Sequence, residues 1–250
     1  MSLLAFRDVT VRRLDGMRKV PVLDRVSFEL DERETAGVLA ARGAGKTTLL
    51  QVAAGLQAPD EGEVSWRGRD LASLTADERA RVRRHGGIAL ARGDWRASAS
   101  KQVLEHVAMP LYSEGLSIEA AERCAAKALD VVKAPGLALK ATGRLGLAER
   151  LRVELARALV REPTLLLVDE PAVLPQPGEA AEFYELLHLL PKEHDISLLI
   201  ASEELSALRG AGRVRMMNLD HGRLHSTDSR RKVIAFPDRR HNGASGAGQP

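Results

Sequence analysis

The sequence predicts an α/β fold built around a mostly parallel sheet, and three observations support this prediction. Apolar runs at 36–39, 165–168 and 198–201 have the length and continuous hydrophobicity of strands covered on both faces. Helical periodicity separates these runs, for example near 180–190. A Gly-rich loop follows the first run and precedes a helical segment at 47–56, an order typical of phosphate-binding α/β proteins.

The first thirty residues have a different pattern, in which apolar and polar residues alternate around a charged turn near Asp15 and Gly16. Alternation with a period of two predicts strands with one buried face, joined by this turn. The N-terminal region is therefore expected to pair with itself before the chain enters the parallel sheet.

Three further segments have the spacing of helices. Thr75 and Glu78 have the spacing of a capping box and predict the start of a helix that runs to Arg84. A second helix is predicted from Ser117, and a third over 149–160. The buried stripe of the second is predicted to contain Ile118, Ala121, Ala125, Ala128, Leu129 and Val132.

Composition and charge limit the possible functions. Apolar residues make up 44% and charged residues 28%, as in ordinary globular proteins, but aromatic residues make up only 3%. Few stacking surfaces are thus available for single-stranded nucleic acid. The net charge is +3, and the segment 229–240 alone carries five basic residues and one acid, which leaves −1 for the rest. We interpret 227–250, rich in Gly, Ser, Pro, Asn and Arg, as a basic, disordered tail.

Cysteine content and hydropathy point to a cytoplasmic protein. Cys124 is the only cysteine, which rules out an internal disulfide and argues against a metal cluster. The N-terminus lacks the pattern of a signal peptide, and no apolar run approaches the roughly 20 residues that span a bilayer. Any role at a membrane is therefore expected to depend on a partner.

The strongest functional motif is AARGAGKT at 40–47, which nearly matches the eight-residue phosphate-binding loop. Small residues let backbone N–H groups surround a phosphate chain, and the next helix presents its positive N-terminus. The Lys46 ammonium is predicted to neutralise the β- and γ-phosphates, and the Thr47 hydroxyl to ligate Mg²⁺. The residues predicted to bind the phosphates are Arg42, Gly43, Ala44, Gly45, Lys46, Thr47 and Thr48.

One position departs from the motif, because Ala40 stands where the pattern begins with Gly. If this position required a positive φ, alanine would cost about 1–2 kcal/mol. We expect such a cost to weaken the loop without abolishing phosphate binding. The alternative is a Gly-rich turn that merely precedes a helix.

A second motif lies at the end of an apolar strand, where Asp169 and Glu170 follow 165–168. Asp169 is predicted to hold Mg²⁺ through water beside the phosphate loop. Glu170 is predicted to be catalytic, by polarising the water that attacks the γ-phosphate. The alternative is a strand-terminating turn, but the pair's position after Lys46 and before Pro171 favours the catalytic interpretation.

Three further stretches complete a resemblance to the ATP-binding cassette (ABC) family over about residues 1–226. They are RGRDLASLT at 67–75, VLEHVAMPL at 103–111 and ARALVREP at 156–163. The chain is most similar to the branch of lipoprotein release, macrolide export and cell division. The resemblance implies a P-loop NTPase fold with a mostly parallel core sheet, an N-terminal antiparallel β subdomain and an inserted helical subdomain at about 87–160.

The resemblance also implies ligands and partners. In this family two cassettes sandwich two ATP molecules head to tail, with Mg²⁺, and drive a pair of membrane permease subunits. The chain is thus expected to bind ATP, to dimerise, and to lie at the inner face of the cell membrane through its permease. The adenine-stacking aromatic residue of the family aligns with Arg13, whose guanidinium plane can also stack on adenine.

Several family motifs are altered. The signature Leu-Ser-Gly-Gly-Glu/Gln appears as LGLAE at 145–149, where Leu147 adds bulk at a close backbone approach. The glutamine that links Mg²⁺ to the permease falls near Ala91, and no Gln occurs between 86 and 101. The aspartate that follows the acidic strand aligns with Gln176.

The γ-phosphate-sensing histidine aligns with Glu203. A carboxylate about 4 Å from a phosphate charge costs roughly 4 kcal/mol at an effective dielectric near 20. We therefore expect either that Glu203 points away from the site or that the closed, ATP-bound state is penalised.

Three functions remain open on the sequence. The first is an active ATP-driven transport subunit, and the second is a hydrolysis-deficient cassette that regulates or completes a heterodimer. The altered signature and Glu203 favour the second as mechanism, with transport as the setting. The third, a cassette acting on nucleic acid or ribosomes, fits poorly with a single cassette and a near-neutral body.

Overall fold

The computed structural model describes residues 2–84, 87–92, 100–169, 177–205, 208 and 214–226. This part of the chain contains ten strands and six α-helices. The strands are β1 (Ser2–Asp15), β2 (Arg18–Asp31), β3 (Thr35–Leu39), β4 (Glu61–Trp66), β5 (Arg69–Asp70), β6 (Ile88–Arg92), β7 (Leu165–Asp169), β8 (Ser197–Ser202), β9 (Arg215–Asp220) and β10 (Arg223–Ser226). The helices are α1 (Lys46–Ala53), α2 (Ala76–Arg84), α3 (Val103–Tyr112), α4 (Ile118–Val131), α5 (Leu147–Leu159) and α6 (Pro177–Glu193).

The N-terminal residues form an antiparallel sheet of four strands in the order β2-β1-β4-β5. β1 and β2 form a long hairpin, whose turn contains Gly16 at a φ of 59°. Phe6 and Phe28 lie opposite each other across this hairpin, and their rings stack with centroids 4.6 Å apart. The predicted N-terminal antiparallel unit is confirmed.

The second sheet has six strands in the order β10-β9-β3-β8-β7-β6. All neighbouring pairs from β9 to β6 are parallel, and only β10 is antiparallel to its neighbour. The predicted α/β fold with a mostly parallel sheet is therefore confirmed. Each of the three apolar runs lies within a strand of this sheet, namely β3, β7 or β8.

The continuous apolar run of β7 is explained by the two cores on either side of the sheet. Leu165 and Leu167 point into a core that contains α1 and the N-terminal sheet. Leu166 and Val168 point into a second core, which is built from the helices of the other face. Because successive side chains of a strand point to opposite faces, a strand between two cores needs apolar residues throughout.

The predicted helices are present, with one error in their burial. α2 begins with the predicted capping box, in which the Thr75 N–H donates to Glu78 Oε2 at 2.8 Å and the Glu78 N–H to Thr75 Oγ1 at 3.2 Å. Ser117 caps α4, accepting a hydrogen bond from the Ala120 N–H at 3.3 Å. The prediction that Ile118 is buried is wrong, since 68% of this residue is exposed. It lies in the first turn of α4, where the side chain points beyond the packed stripe.

The helices α3, α4 and α5 pack against one another and contribute to the second core. They lie within the region predicted as a helical subdomain, but the division at 87–160 and at 226 stays a prediction. The tail 227–250 lies outside the described residues. Among the described helices, none combines the length and apolar character needed to cross a membrane.

Candidate functional site

The candidate site is centred on the loop between β3 and α1, at the carboxyl edge of the parallel sheet. Gly43 and Gly45 have φ values of 80° and 108°, in the left-handed region that favours glycine. A Cβ atom on Gly45 would lie 2.9 Å from the Val22 carbonyl oxygen, whereas one on Gly43 would meet nothing within 4 Å. The loop thus depends on glycine for its backbone conformation at both positions and for close packing at Gly45 only.

These two glycines make a matched pair for a stability test. We expect Gly45→Ala to lower the free energy of unfolding by about 2–3 kcal/mol, because a strained φ and a contact with Val22 act together. For Gly43→Ala we expect about 1–2 kcal/mol, from the strained φ alone. Urea unfolding of both variants measures the difference. Equal losses would show that the Val22 contact contributes nothing.

The first position of the motif carries no strain from a left-handed backbone conformation. Ala40 is not among the residues with a positive φ, so the cost considered for alanine at this position does not arise. Its N–H donates to the Ser202 carbonyl oxygen at 3.1 Å, which ties the start of the loop to the end of β8. Alanine is therefore compatible with the loop as it stands.

The Lys46 side chain lies over the loop and is only 7% exposed. Its ammonium donates to the carbonyl oxygens of Ala40 at 3.0 Å and Ala41 at 3.1 Å. It also binds the Glu203 carboxylate, with 3.1 Å between Nζ and Oε1. An ammonium has three N–H donors, so it can donate to each of these acceptors.

Glu203 follows β8, the strand that lies between β3 and β7. The first alternative considered for this residue, that its side chain points away from the site, is wrong, because its carboxylate binds Lys46. This ion pair was missed by sequence reasoning. The available signal was the alignment of an acidic residue with a phosphate-sensing position, next to a loop that carries one lysine.

Asp169 is the last residue of β7 and is buried. It pairs in register with Ala201 of β8, and Val38 of β3 pairs with the same residue from the other side. Two strand spacings, about 10 Å, therefore separate the backbone of Asp169 from that of β3. Helix α1 contacts both β7 and β8, so the acidic strand end and the phosphate loop lie at the same edge of the sheet.

The donors at this edge suit Mg²⁺. Thr47 is exposed in the first turn of α1, whereas Thr48 is buried. The described residues contain no group of three or more His, Cys, Asp and Glu side chains able to hold a metal. Mg²⁺ usually binds one or two carboxylates together with substrate phosphates and water, so a hydroxyl and the Asp169 carboxylate are an appropriate set.

The other predicted site residues are distributed as follows. Arg42 is exposed on the loop, and Ala44 is half-buried. Arg13 is exposed on β1 and lies opposite Val20 of β2. Val22, two residues further along β2, packs its carbonyl oxygen against Gly45. The structure thus places the hairpin that carries Arg13 beside the loop. Glu170 and Gln176 lie outside the described residues.

The segment aligned with the family signature leads into α5. Gly146 is the N-cap, with a φ of −68°, and Leu147 is exposed beside it. The Glu149 carboxylate accepts from the Lys140 ammonium at 2.7 Å and from the Gly146 N–H at 2.9 Å. These bonds lower the pKa of the Glu149 carboxyl and keep it anionic. An exposed leucine therefore stands next to a well-fixed helix start.

Ala91, the position aligned with the family glutamine, is buried in β6. Its neighbour in register is Val168, the residue before Asp169. It also lines a small cavity with Asp169 and Glu154. The alanine is thus close to the acidic strand end but brings no polar group to it.

Comparison with known proteins identifies a family and several relatives of this chain. A family model described as ABC transporter matches residues 23–173. The methionine import ATP-binding protein MetN of Rhizobium etli is 32% identical over 240 residues, 93% of this chain and 64% of the relative. The lipoprotein-releasing system ATP-binding protein LolD of Bdellovibrio bacteriovorus is 33% identical over 194 residues, 76% of this chain and 86% of the relative. LolD of Pseudoalteromonas translucida is 30% identical over 218 residues, which cover 86% of this chain and 91% of the relative.

The chain thus spans less than two thirds, 64–65%, of the length of these methionine-import relatives and 86–91% of the lipoprotein-release relatives. Among solved structures, the ATP-binding cassette MJ0796, in a dimeric post-hydrolysis state with ADP and Pi, superposes with a TM-score of 0.80. The two proteins are 24% identical, and the superposition covers 93% of this chain and all of the MJ0796 chain. This likeness shows that the two proteins share a fold.

Proposed function

The chain belongs to the ABC transporter family, and we propose from this premise that it is an ATP-binding subunit that couples nucleotide binding to a membrane permease. The family match extends over more than half of the chain, from within β2 to just beyond the acidic strand end. The relatives carry names of import and release systems, which supports a membrane transport setting. Lipoprotein-release proteins agree with the branch predicted from the sequence.

The observation that carries this proposal is the phosphate loop with its buried lysine, at the sheet edge where Asp169 also lies. Backbone N–H groups of 42–48 and the N-terminus of α1 would hold the anionic tail of the nucleotide. Lys46 would contribute positive charge at the β- and γ-phosphates. Thr47 and Asp169 would hold Mg²⁺, which neutralises charge on the same phosphates when it is bound.

In this proposal hydrolysis depends on Glu170, which would orient the attacking water. Arg13 would stack on the adenine from the hairpin beside the loop. The cassette would comprise residues 1–226, with a helical subdomain at about 87–160 and a basic tail at 227–250. The protein would lie at the inner face of the membrane through its permease.

The proposal also concerns the second cassette with which this chain forms a dimer. A dimeric neighbour supports dimerisation. In a homodimer both composite sites would contain Leu147 and lack the signature hydroxyl, so we propose a heterodimer with a second, intact cassette. The relatives give no support to the alternative of a hydrolysis-deficient regulatory subunit, for which the altered motifs are the only argument.

The test is nucleotide binding by the purified chain, followed by isolation of its complex. We expect Mg²⁺-dependent binding of adenine nucleotides, weakened about tenfold or more when EDTA removes the metal. A tagged chain expressed at its natural level is expected to purify from detergent-solubilised membranes with a permease and a second cassette. Absence of nucleotide binding by a correctly folded chain would contradict the proposal.

A further inference from the structure

The nucleotide site contains an anionic side chain of its own. Glu203 binds the ammonium of Lys46, the group expected to neutralise the terminal phosphates of a nucleotide. The same ammonium donates to two carbonyl oxygens of the loop. The positive charge of the site is thus paired with a carboxylate of this chain.

The backbone that carries Glu203 is firmly held. Ser202, the last residue of β8, is buried, and its carbonyl oxygen accepts the Ala40 N–H at 3.1 Å. Its hydroxyl oxygen accepts the Glu204 N–H at 3.1 Å. The backbone around Glu203 is therefore fixed to the first residue of the phosphate loop. The Glu203 side chain is 41% exposed, so it can rotate towards solvent although its backbone stays in place.

We propose that Glu203 makes this site select nucleoside diphosphates over nucleoside triphosphates, an inference that rests on the proposed nucleotide-binding function. The α- and β-phosphates are bound mainly by backbone N–H groups of the loop, which Glu203 does not occupy. A γ-phosphate adds negative charge next to Lys46, where the carboxylate already lies. It must displace Glu203 into solvent or accept a like charge as its neighbour.

Glu203 is expected to weaken triphosphate binding without preventing it, because its partly exposed side chain can rotate into solvent. We expect the wild-type chain to bind ADP about tenfold or more tightly than a triphosphate, because the γ-phosphate brings further negative charge to the Lys46–Glu203 pair and makes rotation of Glu203 more costly for the triphosphate than for ADP. At equal concentrations of the two nucleotides, this preference would leave the isolated cassette mainly in a diphosphate-bound state. A partner that moves Glu203 away from Lys46 would then favour triphosphate binding.

The experiment measures the dissociation constants of Mg²⁺–ADP and of Mg²⁺–AMP-PNP, a triphosphate that is not hydrolysed, by isothermal titration calorimetry. The variant is Glu203→Gln, which keeps the size of the side chain and removes its charge. The matched control is Glu204→Gln, which removes the same charge one residue further along the chain. We expect Glu203→Gln to reduce the preference for ADP by about tenfold or more, mainly through tighter AMP-PNP binding, and Glu204→Gln to leave the preference within about twofold.

Three outcomes would overturn the inference. If the preference is the same in wild type and Glu203→Gln while ADP still binds, Glu203 does not select, and nucleotide binding stands. If both glutamine variants change it equally, general charge and not the Lys46 ion pair is responsible. If neither nucleotide binds to wild type or to Glu203→Gln, the proposed function fails as well. Glu203→Ala, tested in the same way, provides a second uncharged variant should Glu203→Gln not fold.

Discussion

Replacing Lys46 with alanine is expected to weaken nucleotide binding by about a hundredfold or more, because the variant loses the charge-assisted contacts to the phosphates. The ammonium is buried and already directed at the loop, so little ordering remains to be done on binding. The variant also leaves the carbonyl oxygens of Ala40 and Ala41 and the Glu203 carboxylate without this donor. We expect an accompanying loss of about 1–3 kcal/mol in the free energy of unfolding.

The matched control is Lys140→Ala, which removes a lysine whose ammonium also binds a carboxylate, that of Glu149. Lys140 lies before the signature-aligned segment and not on the phosphate loop. Calorimetric titration with Mg²⁺–ADP is expected to give wild-type affinity for Lys140→Ala and no measurable binding for Lys46→Ala. Unchanged affinity in a folded Lys46→Ala variant would remove the basis for the nucleotide site.

The second large effect is expected in β7, from Leu166→Ala and Leu167→Ala. Both leucines are fully buried, one in each of the two cores. Truncation of a buried leucine costs the transfer energy of the lost atoms and leaves a cavity, about 2–5 kcal/mol in total. That is a large part of the 5–15 kcal/mol by which domains are typically stable. Equilibrium unfolding in urea measures each loss.

A leucine on the surface serves as the control for this pair. Leu139 is 75% exposed, and Leu139→Ala is expected to change the free energy of unfolding by less than about 0.5 kcal/mol. A loss below about 1 kcal/mol at both Leu166 and Leu167 would contradict the assignment of β7 as a strand buried on both faces.

Those parts of the fold that are encoded locally could be predicted from the sequence. The apolar runs of β3, β7 and β8 and the capping box at Thr75 and Glu78 each depend on neighbouring residues. Burial at the end of a helix depends on how far the packed surface extends, which explains why Ile118 is exposed although it fits the periodicity of α4. The hydrogen bond from the Ala40 N–H to the end of β8 likewise joins residues far apart in the sequence, so the motif alone could not predict it.

In the candidate site, too, some features depend on neighbouring residues and others on the tertiary structure. Residues 42–48 are contiguous and follow a known spacing, so the prediction that they bind phosphate needs only the motif. The position of Asp169 relative to the loop depends on strand order, because β8 lies between β3 and β7 although it follows both of them in the sequence. The contact between Lys46 and Glu203 joins residues far apart in the chain, and only the tertiary structure shows which way the Glu203 side chain is directed.

The alternation of side chains in β7 also has a mechanical consequence. Leu165 and Leu167 anchor the strand to the layer of the phosphate loop, and Leu166 and Val168 anchor it to the helical layer. Neither layer can slide over the other without breaking this shared packing, and Asp169 stands at the end of the same five residues. A push delivered to the helices from outside would therefore be transmitted through this shared packing to the strand that ends in Asp169.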